Sequence, residues 1–128
     1  MSRPVLPILL VIYGVASLVH FWHNAEFIAE YPNLPVSWSG VHVYVAWIVM
    51  TLIGVAGWLL KSRGFVIAGL LVLAAYAALG LDSLGHYVLA PLSAHTLAMN
   101  STILAEVTAA GLVLVEVVRQ LVHRNASR

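Results

Sequence analysis

The chain has 128 residues, of which 62% are hydrophobic and only 9% are charged, and its formal net charge is +1. In soluble domains about a quarter of the residues are charged, so this composition excludes an ordinary soluble domain. The small net charge gives no basis for a nucleic-acid partner. The absence of cysteine excludes disulfides and thiolate metal sites.

Four apolar stretches are long enough to cross a bilayer, since a transmembrane helix needs about 20 apolar residues. They predict an all-α chain that forms a single integral membrane four-helix bundle over residues 1–128. Helices are expected because backbone polar groups in lipid need internal partners, and no alternating strand pattern occurs. The predicted spans are about 5–22, 41–60, 65–81 and 97–118.

The positions of lysine and arginine predict the orientation, because positively charged flanks tend to stay cytoplasmic. Both termini and the hairpin between spans two and three are expected in the cytoplasm, with residues 23–40 and 82–96 outside. Size and topology favour a bacterial inner membrane, with these outer segments in the periplasm. The basic residues are Arg3, Lys61, Arg63, Arg119, Arg124 and Arg128.

The first span admits a second interpretation. Arg3 precedes an apolar run, and Val15-Ala16-Ser17 resembles the cleavage site of a secretory signal peptide. The bulky Phe21-Trp22-His23 that follows favours a helix that continues into the membrane interface. We therefore expect the first span to remain part of the bundle.

Five of the six histidines fall at the predicted outer end, and every predicted helix contributes at least one. This convergence predicts a shared site. The simpler alternative is that these side chains form hydrogen bonds with lipid headgroups or water at the interface. The five residues are His20, His23, His42, His86 and His95.

Carboxylates accompany the histidines on two helices. At about 100° per residue, His20, His23, Glu26 and Glu30 share an arc of about 120° on the first helix. On the third helix, Asp82 and His86 are one turn apart, either as two ligands or as an imidazole held by a carboxylate.

Glu106 lies about ten residues inside the fourth span, roughly 15 Å from its outer end. An ionisable group at that depth costs about 2.5–3.5 kcal/mol, so it is expected to face the interior and to have a partner. We predict that Glu106 handles protons as a catalytic residue. The alternative is a neutral glutamic acid bonded to Thr102, Thr51 or a backbone carbonyl.

Imidazoles and carboxylates without thiolates suit copper(II), zinc or iron. We hypothesise a primary metal site made of His42, Asp82, His86 and His95. A second set, His20, His23, Glu26 and Glu30, completes that site or binds a neighbouring ion. The predicted function is metal-dependent catalysis or metal handling, with no substrate indicated.

The spacing Asp82-x-x-x-His86 followed by His95 is similar in type to the ligand set in the membrane C subunit of particulate methane and ammonia monooxygenases. The resemblance covers these three residues alone. In that family the second interval is longer, and the remainder of the subunit has no counterpart here. The resemblance implies copper as a candidate metal and does not extend to the activity.

Three other functions remain open. Two histidines on facing helices are typical of a b-type haem protein, although most histidines here lie near helix ends. Glu106 also suits a proton-coupled carrier. The short loops suit an accessory subunit of a larger membrane complex, and the small residues along the helices are also compatible with a homo-oligomer.

Overall fold

The computed structural model describes residues 4–126, and within that range it is all-α, with no strand. Four helical segments of this range are long and apolar enough to span a membrane. Arg3 and Arg128, which entered the orientation prediction, lie outside the described residues. The helices are α1 (Val5–Glu26), α2 (Gly40–Ser62), α3 (Val66–Leu81), α4 (Gly85–Leu89) and α5 (Leu97–Ala126).

The third spanning segment is longer than the sequence predicted. A 3-10 turn at Asp82–Leu84 joins α3 to α4, and the helical segment continues to Leu89. No proline interrupts it, because the next proline in the chain is Pro91. His86 therefore lies on a continuation of the third helix rather than in a loop.

The helices run antiparallel, which gives the bundle two distinct ends. We call the end where α1 and α4 finish and α2 and α5 begin the histidine end. The opposite end, which carries Lys61, Arg63 and Arg119, is the basic end. Near it, Arg119 forms a two-pronged ion pair with the buried Glu116, with both nitrogen–oxygen distances 2.7 Å.

Glycines bring α2 and α3 into close contact. A Cβ placed on Gly54 would lie 2.7 Å from the Tyr76 ring, and one on Gly57 would lie 2.9 Å from the Leu73 side chain. Gly69 lies against the backbone of α2 itself. Helix α1 packs mainly on α5, and α3 also packs on α5, so the contact between α1 and α2 is the weaker one.

The core changes character along the bundle axis. Between Glu106 and the basic end, it consists mainly of aliphatic and tyrosine side chains, including Leu70, Leu73 and Val113, with the Arg119-paired Glu116 as the buried charged exception. There the Tyr13 hydroxyl donates a hydrogen bond to the Tyr76 carbonyl oxygen at 2.9 Å. Polar side chains are buried together on the other side of Glu106, toward the histidine end.

Gly69→Ala is expected to destabilise the bundle, because the new methyl group would lie 2.7 Å from the Gly57 carbonyl oxygen, a backbone atom. Overpacking of this kind costs about 1–3 kcal/mol. The measurement is thermal unfolding of the protein purified in detergent. Gly111→Ala is the matched control, because nothing lies within 4 Å of its added Cβ. Equal unfolding temperatures for the two variants would contradict this account of the α2–α3 contact.

Candidate functional site

His20, His86, His95 and Glu106 follow one another along the interior toward the histidine end, with His86 half-buried, and we call these four residues the buried cluster. The exposed fractions of His20, His95 and Glu106 are 2%, 6% and 0%. His20 Nε2 lies 3.7 Å from Glu106 Oε2. The His86 ring centroid is 5.4 Å from that of His20 and 6.1 Å from that of His95.

Helical periodicity brings two members of the cluster together. On α1 the buried positions Tyr13, Ser17, His20 and Asn24 recur at intervals of four, three and four residues, which is one helical face. Glu106 lies on the buried face of α5, between Ile103 and Ala109. The prediction that Glu106 faces the interior is therefore confirmed.

Glu106 is bonded by a serine from the extended third segment. The Ser83 hydroxyl donates a hydrogen bond to Glu106 Oε2 at 2.6 Å. This partner replaces the alternatives expected from sequence, Thr102 and Thr51. The second carboxyl oxygen, Oε1, is buried and has no hydrogen-bond partner.

The hydrogen bonds of two histidines define which ring nitrogens carry protons. His20 Nδ1 lies 3.2 Å from the Thr102 hydroxyl, whose proton goes to the Met99 carbonyl oxygen. His95 Nδ1 lies 3.0 Å from the Pro91 carbonyl oxygen. In both cases Nδ1 must be the donor, so in the neutral ring Nε2 is left with a lone pair.

His86 is oriented by Asn24, a residue to which the sequence analysis gave no role. The Asn24 side-chain nitrogen lies 3.1 Å from His86 Nε2. His86 Nδ1 and Asn24 Oδ1 are both buried without a partner. Turning the Asn24 amide over would exchange donor and acceptor, and with them the protonated nitrogen of His86.

Unpartnered polar atoms therefore follow one another along the bundle axis, from His95 near the histidine end to Glu106 about 16 Å further along. They are Asn24 Oδ1, His86 Nδ1, His95 Nε2 and Glu106 Oε1. Leaving such a group buried and unpaired costs about 1–3 kcal/mol. The cluster thus has unused capacity to bind an ion, a polar ligand group or water.

Two residues of the predicted metal sets have other partners. His42 is exposed at the start of α2, where its Nδ1 lies 2.7 Å from the Ser39 hydroxyl and its ring stacks on Trp38. Glu26 is exposed and accepts a hydrogen bond from the Tyr44 hydroxyl at 2.6 Å. A helix cap and a surface contact explain these two side chains.

Glu30, His23 and Asp82 also lie outside the cluster. Glu30 is exposed in a 3-10 turn, and Asp82 is exposed beside an adjoining cavity. His23 is half-buried, and its Nδ1 lies 2.9 Å from the Tyr31 hydroxyl. Burial raises the pKa of Tyr31 to about 12, so this phenol keeps its proton.

Over residues 4–126, no group of three or more His, Cys, Asp or Glu side chains is arranged to hold a metal ion. The expected set of His42, Asp82, His86 and His95 is therefore not assembled. The second set also fails, because the buried face of α1 passes through Asn24 instead of His23 and Glu26. Helix α1 also ends before Glu30.

The sequence analysis missed Asn24 and Ser83, although both carried a positional signal. Asn24 follows His20 by four residues, and Ser83 precedes His86 by three. Either spacing places the two side chains on one helical face. Serine and asparagine do not titrate, so a pattern of ionisable side chains does not include them.

Comparison of the chain with protein-family models, with curated proteins and with solved structures finds no match. The similarity of Asp82, His86 and His95 to the monooxygenase subunit thus remains a similarity of spacing.

Ser83→Ala is expected to lower the free energy of unfolding by about 1–3 kcal/mol, because buried Glu106 would lose its hydroxyl donor. Chemical or thermal denaturation in detergent measures this change. Ser101→Ala removes an exposed hydroxyl that bonds only to the Leu97 carbonyl oxygen, and is expected to change stability by less than about 0.5 kcal/mol. If the two variants were equally stable, the hydrogen bond between Ser83 and Glu106 would not contribute to the stability of the fold.

Proposed function

We propose that this protein is an integral membrane protein that binds one transition-metal ion in the buried cluster. Both termini are cytoplasmic, and the histidine end faces the outer side, the periplasm of a bacterial inner membrane. The observation that supports metal binding is the pair of buried, unpartnered imidazole nitrogens on His86 of α4 and His95 before α5, whose rings are neighbours.

The donor set suits zinc, copper(II) or iron. His20 Nε2 and His95 Nε2 offer imidazole lone pairs. Glu106 lies eleven residues beyond His95, about 16 Å further along the bundle axis, so it lies beneath the imidazoles as a proton carrier and is not a ligand of the same ion. His86 joins them when the Asn24 amide is turned over. Because Asp82 lies outside this set, the spacing that pointed to copper no longer favours it over zinc or iron.

Metal binding requires the side chains to draw together. Zinc–nitrogen bonds are about 2.0–2.1 Å long, whereas the three imidazole rings now lie in edge contact at centroid distances of 5.4 and 6.1 Å. The rings are carried by different elements, so rotation about side-chain bonds is the available movement.

Each residue of the cluster has a separate task in this proposal. An ion with an open coordination position supplies Lewis acidity. Glu106 accepts or returns a proton at Oε1, while Ser83 holds its other oxygen. Asn24 and Thr102 orient His86 and His20, as residues behind metal ligands commonly do.

A second candidate function is proton storage by His20 and Glu106, whose side chains lie 3.7 Å apart in the interior. The polar groups reach Glu106 from the histidine end, and the core beyond it is aliphatic and aromatic. This arrangement suits uptake and release of a proton at one face better than conduction across the bundle.

The purified protein is expected to retain about one equivalent of a single transition metal. His95→Ala and His86→Ala should lose the metal, because each removes a donor atom of the cluster. The measurement is elemental mass spectrometry after incubation with each metal in turn, together with a visible spectrum. His42→Ala is the matched control and should retain the metal, since His42 is bonded to Ser39 at the surface.

Retention of the metal by His95→Ala and His86→Ala, or its loss in His42→Ala alone, would contradict the assignment. A Soret band in the visible spectrum would show that the protein binds haem rather than a single metal ion. Absence of both metal and haem after reconstitution would favour proton storage.

The orientation is tested by single-cysteine labelling, because the chain has no cysteine of its own. Ser37→Cys and Ser93→Cys lie at the histidine end and should react with a membrane-impermeant maleimide in intact cells. Ser62→Cys lies at the basic end and should react only after permeabilisation. All three serines are exposed. Labelling of Ser37→Cys and Ser93→Cys from opposite sides would refute the four-span topology. Labelling of Ser62→Cys in intact cells, with Ser37→Cys and Ser93→Cys reacting only after permeabilisation, would show that the orientation is the opposite one.

A further inference from the structure

A cavity of about 790 Å³ lies at the histidine end, lined by α2, the α3–α4 segment, the end of α1 and the loop before α2. This volume is in the range of pockets that hold a small organic molecule, about 300–1,000 Å³. Phe21 and Trp38 contribute aromatic rings to the wall. The aliphatic part of the lining includes Val43, Ala46, Val49, Met50, Ile53 and Leu79.

The lining also contains a carboxylate, that of Asp82, to which the metal proposal gives no task. Asp82 is exposed, and within residues 4–126 its carboxylate has no hydrogen bond and no ion pair. The imidazole of His86 lies nearby, but that ring is bonded to Asn24 instead. The cavity therefore carries one negative charge without a counter-charge.

This charge selects the class of ligand. Among the described lining residues there is no lysine or arginine, so an anion would meet Asp82 and no compensating cation. A neutral molecule would cover the carboxylate and leave it unpaired, which costs free energy. A calcium or magnesium ion needs about six oxygen ligands and gains nothing from apolar walls. A cation with apolar groups satisfies both the carboxylate and the walls.

We propose that this cavity binds an amphipathic organic cation, such as a quaternary ammonium or phosphonium ion, whose charge Asp82 compensates. The apolar groups of the ligand contact the aliphatic wall. Phe21 and Trp38 add attraction, because the faces of aromatic rings carry negative charge density. This inference goes beyond the proposed metal site and does not depend on it, since Asp82 is not one of the proposed metal ligands.

The test compares two ions of nearly equal size and shape but opposite charge, tetraphenylphosphonium and tetraphenylborate. Binding of each ion to the full chain in the nonionic detergent dodecyl maltoside is measured by isothermal titration calorimetry, after removal of metal with a chelator. One tetraphenylphosphonium ion is expected to bind per chain. Tetraphenylborate is expected to bind at least about tenfold more weakly, because its interaction with Asp82 is repulsive.

A matched pair of substitutions tests the role of the carboxylate. Asp82→Asn keeps the size of the side chain and removes its charge, so it should weaken tetraphenylphosphonium binding about tenfold and abolish the preference over tetraphenylborate. Glu30→Gln removes the same charge from an exposed position at the same end that does not line the cavity. It should change the affinity by less than about twofold, because solvent screens a charge outside the cavity.

Two substitutions on α2 locate the site. Ala46→Trp fills the cavity and should abolish binding of tetraphenylphosphonium. Ala56→Trp projects from an exposed position that does not line the cavity, and should leave binding unchanged. The comparison of the two ions uses the unaltered protein, so the proposal is tested even if Ala46→Trp does not fold.

Equal affinity for the two ions, or an equal loss of affinity in Asp82→Asn and Glu30→Gln, would overturn the role of Asp82. Stronger binding of tetraphenylborate would identify a site for anions. Full binding by a folded Ala46→Trp would place the cation elsewhere. Because the assay is done without metal, its failure leaves the metal proposal standing, and loss of metal in His95→Ala leaves binding of the organic cation unchanged.

Discussion

The arrangement of the histidine end depends on one carboxyl group, that of Glu106, which is completely buried in an otherwise apolar bundle. A group of this kind must be protonated, hydrogen-bonded or paired with a charge. Its partners come from two other elements, because Ser83 follows α3 and His20 belongs to α1. One side chain thus ties three of the four spanning segments together.

A second constraint is the unequal packing of the four segments. Glycines hold α2 against α3, whereas α1 packs on α5 and leaves the α1–α2 seam partly open. A cavity of about 790 Å³ at the histidine end is lined by α2, the α3–α4 segment and the end of α1, and it shares His20 and His86 with the buried cluster. A ligand in the cavity would therefore lie next to any ion bound in the cluster.

Composition and hydropathy were enough to predict an all-α fold with four spanning segments, because length and apolarity are properties of the sequence alone. The position of Glu106 was also predictable from its depth in α5. The two sets of metal ligands could not be predicted in this way. Sharing an end of the bundle does not make side chains meet, as His42 shows by capping α2. The prediction placed His23 and Glu26 on the site-facing side of α1, whereas the buried face of α1 passes through Asn24. A shift of one residue along a helix rotates the side chain by about 100° around the axis.

The most direct test of the metal proposal is anomalous diffraction from crystals of the protein grown with zinc, recorded on both sides of the zinc absorption edge. The account predicts one anomalous peak in contact with His95 Nε2, with His86 and His20 completing the ligands. A peak at His42 or Glu26, or no peak in a zinc-saturated crystal, would contradict it.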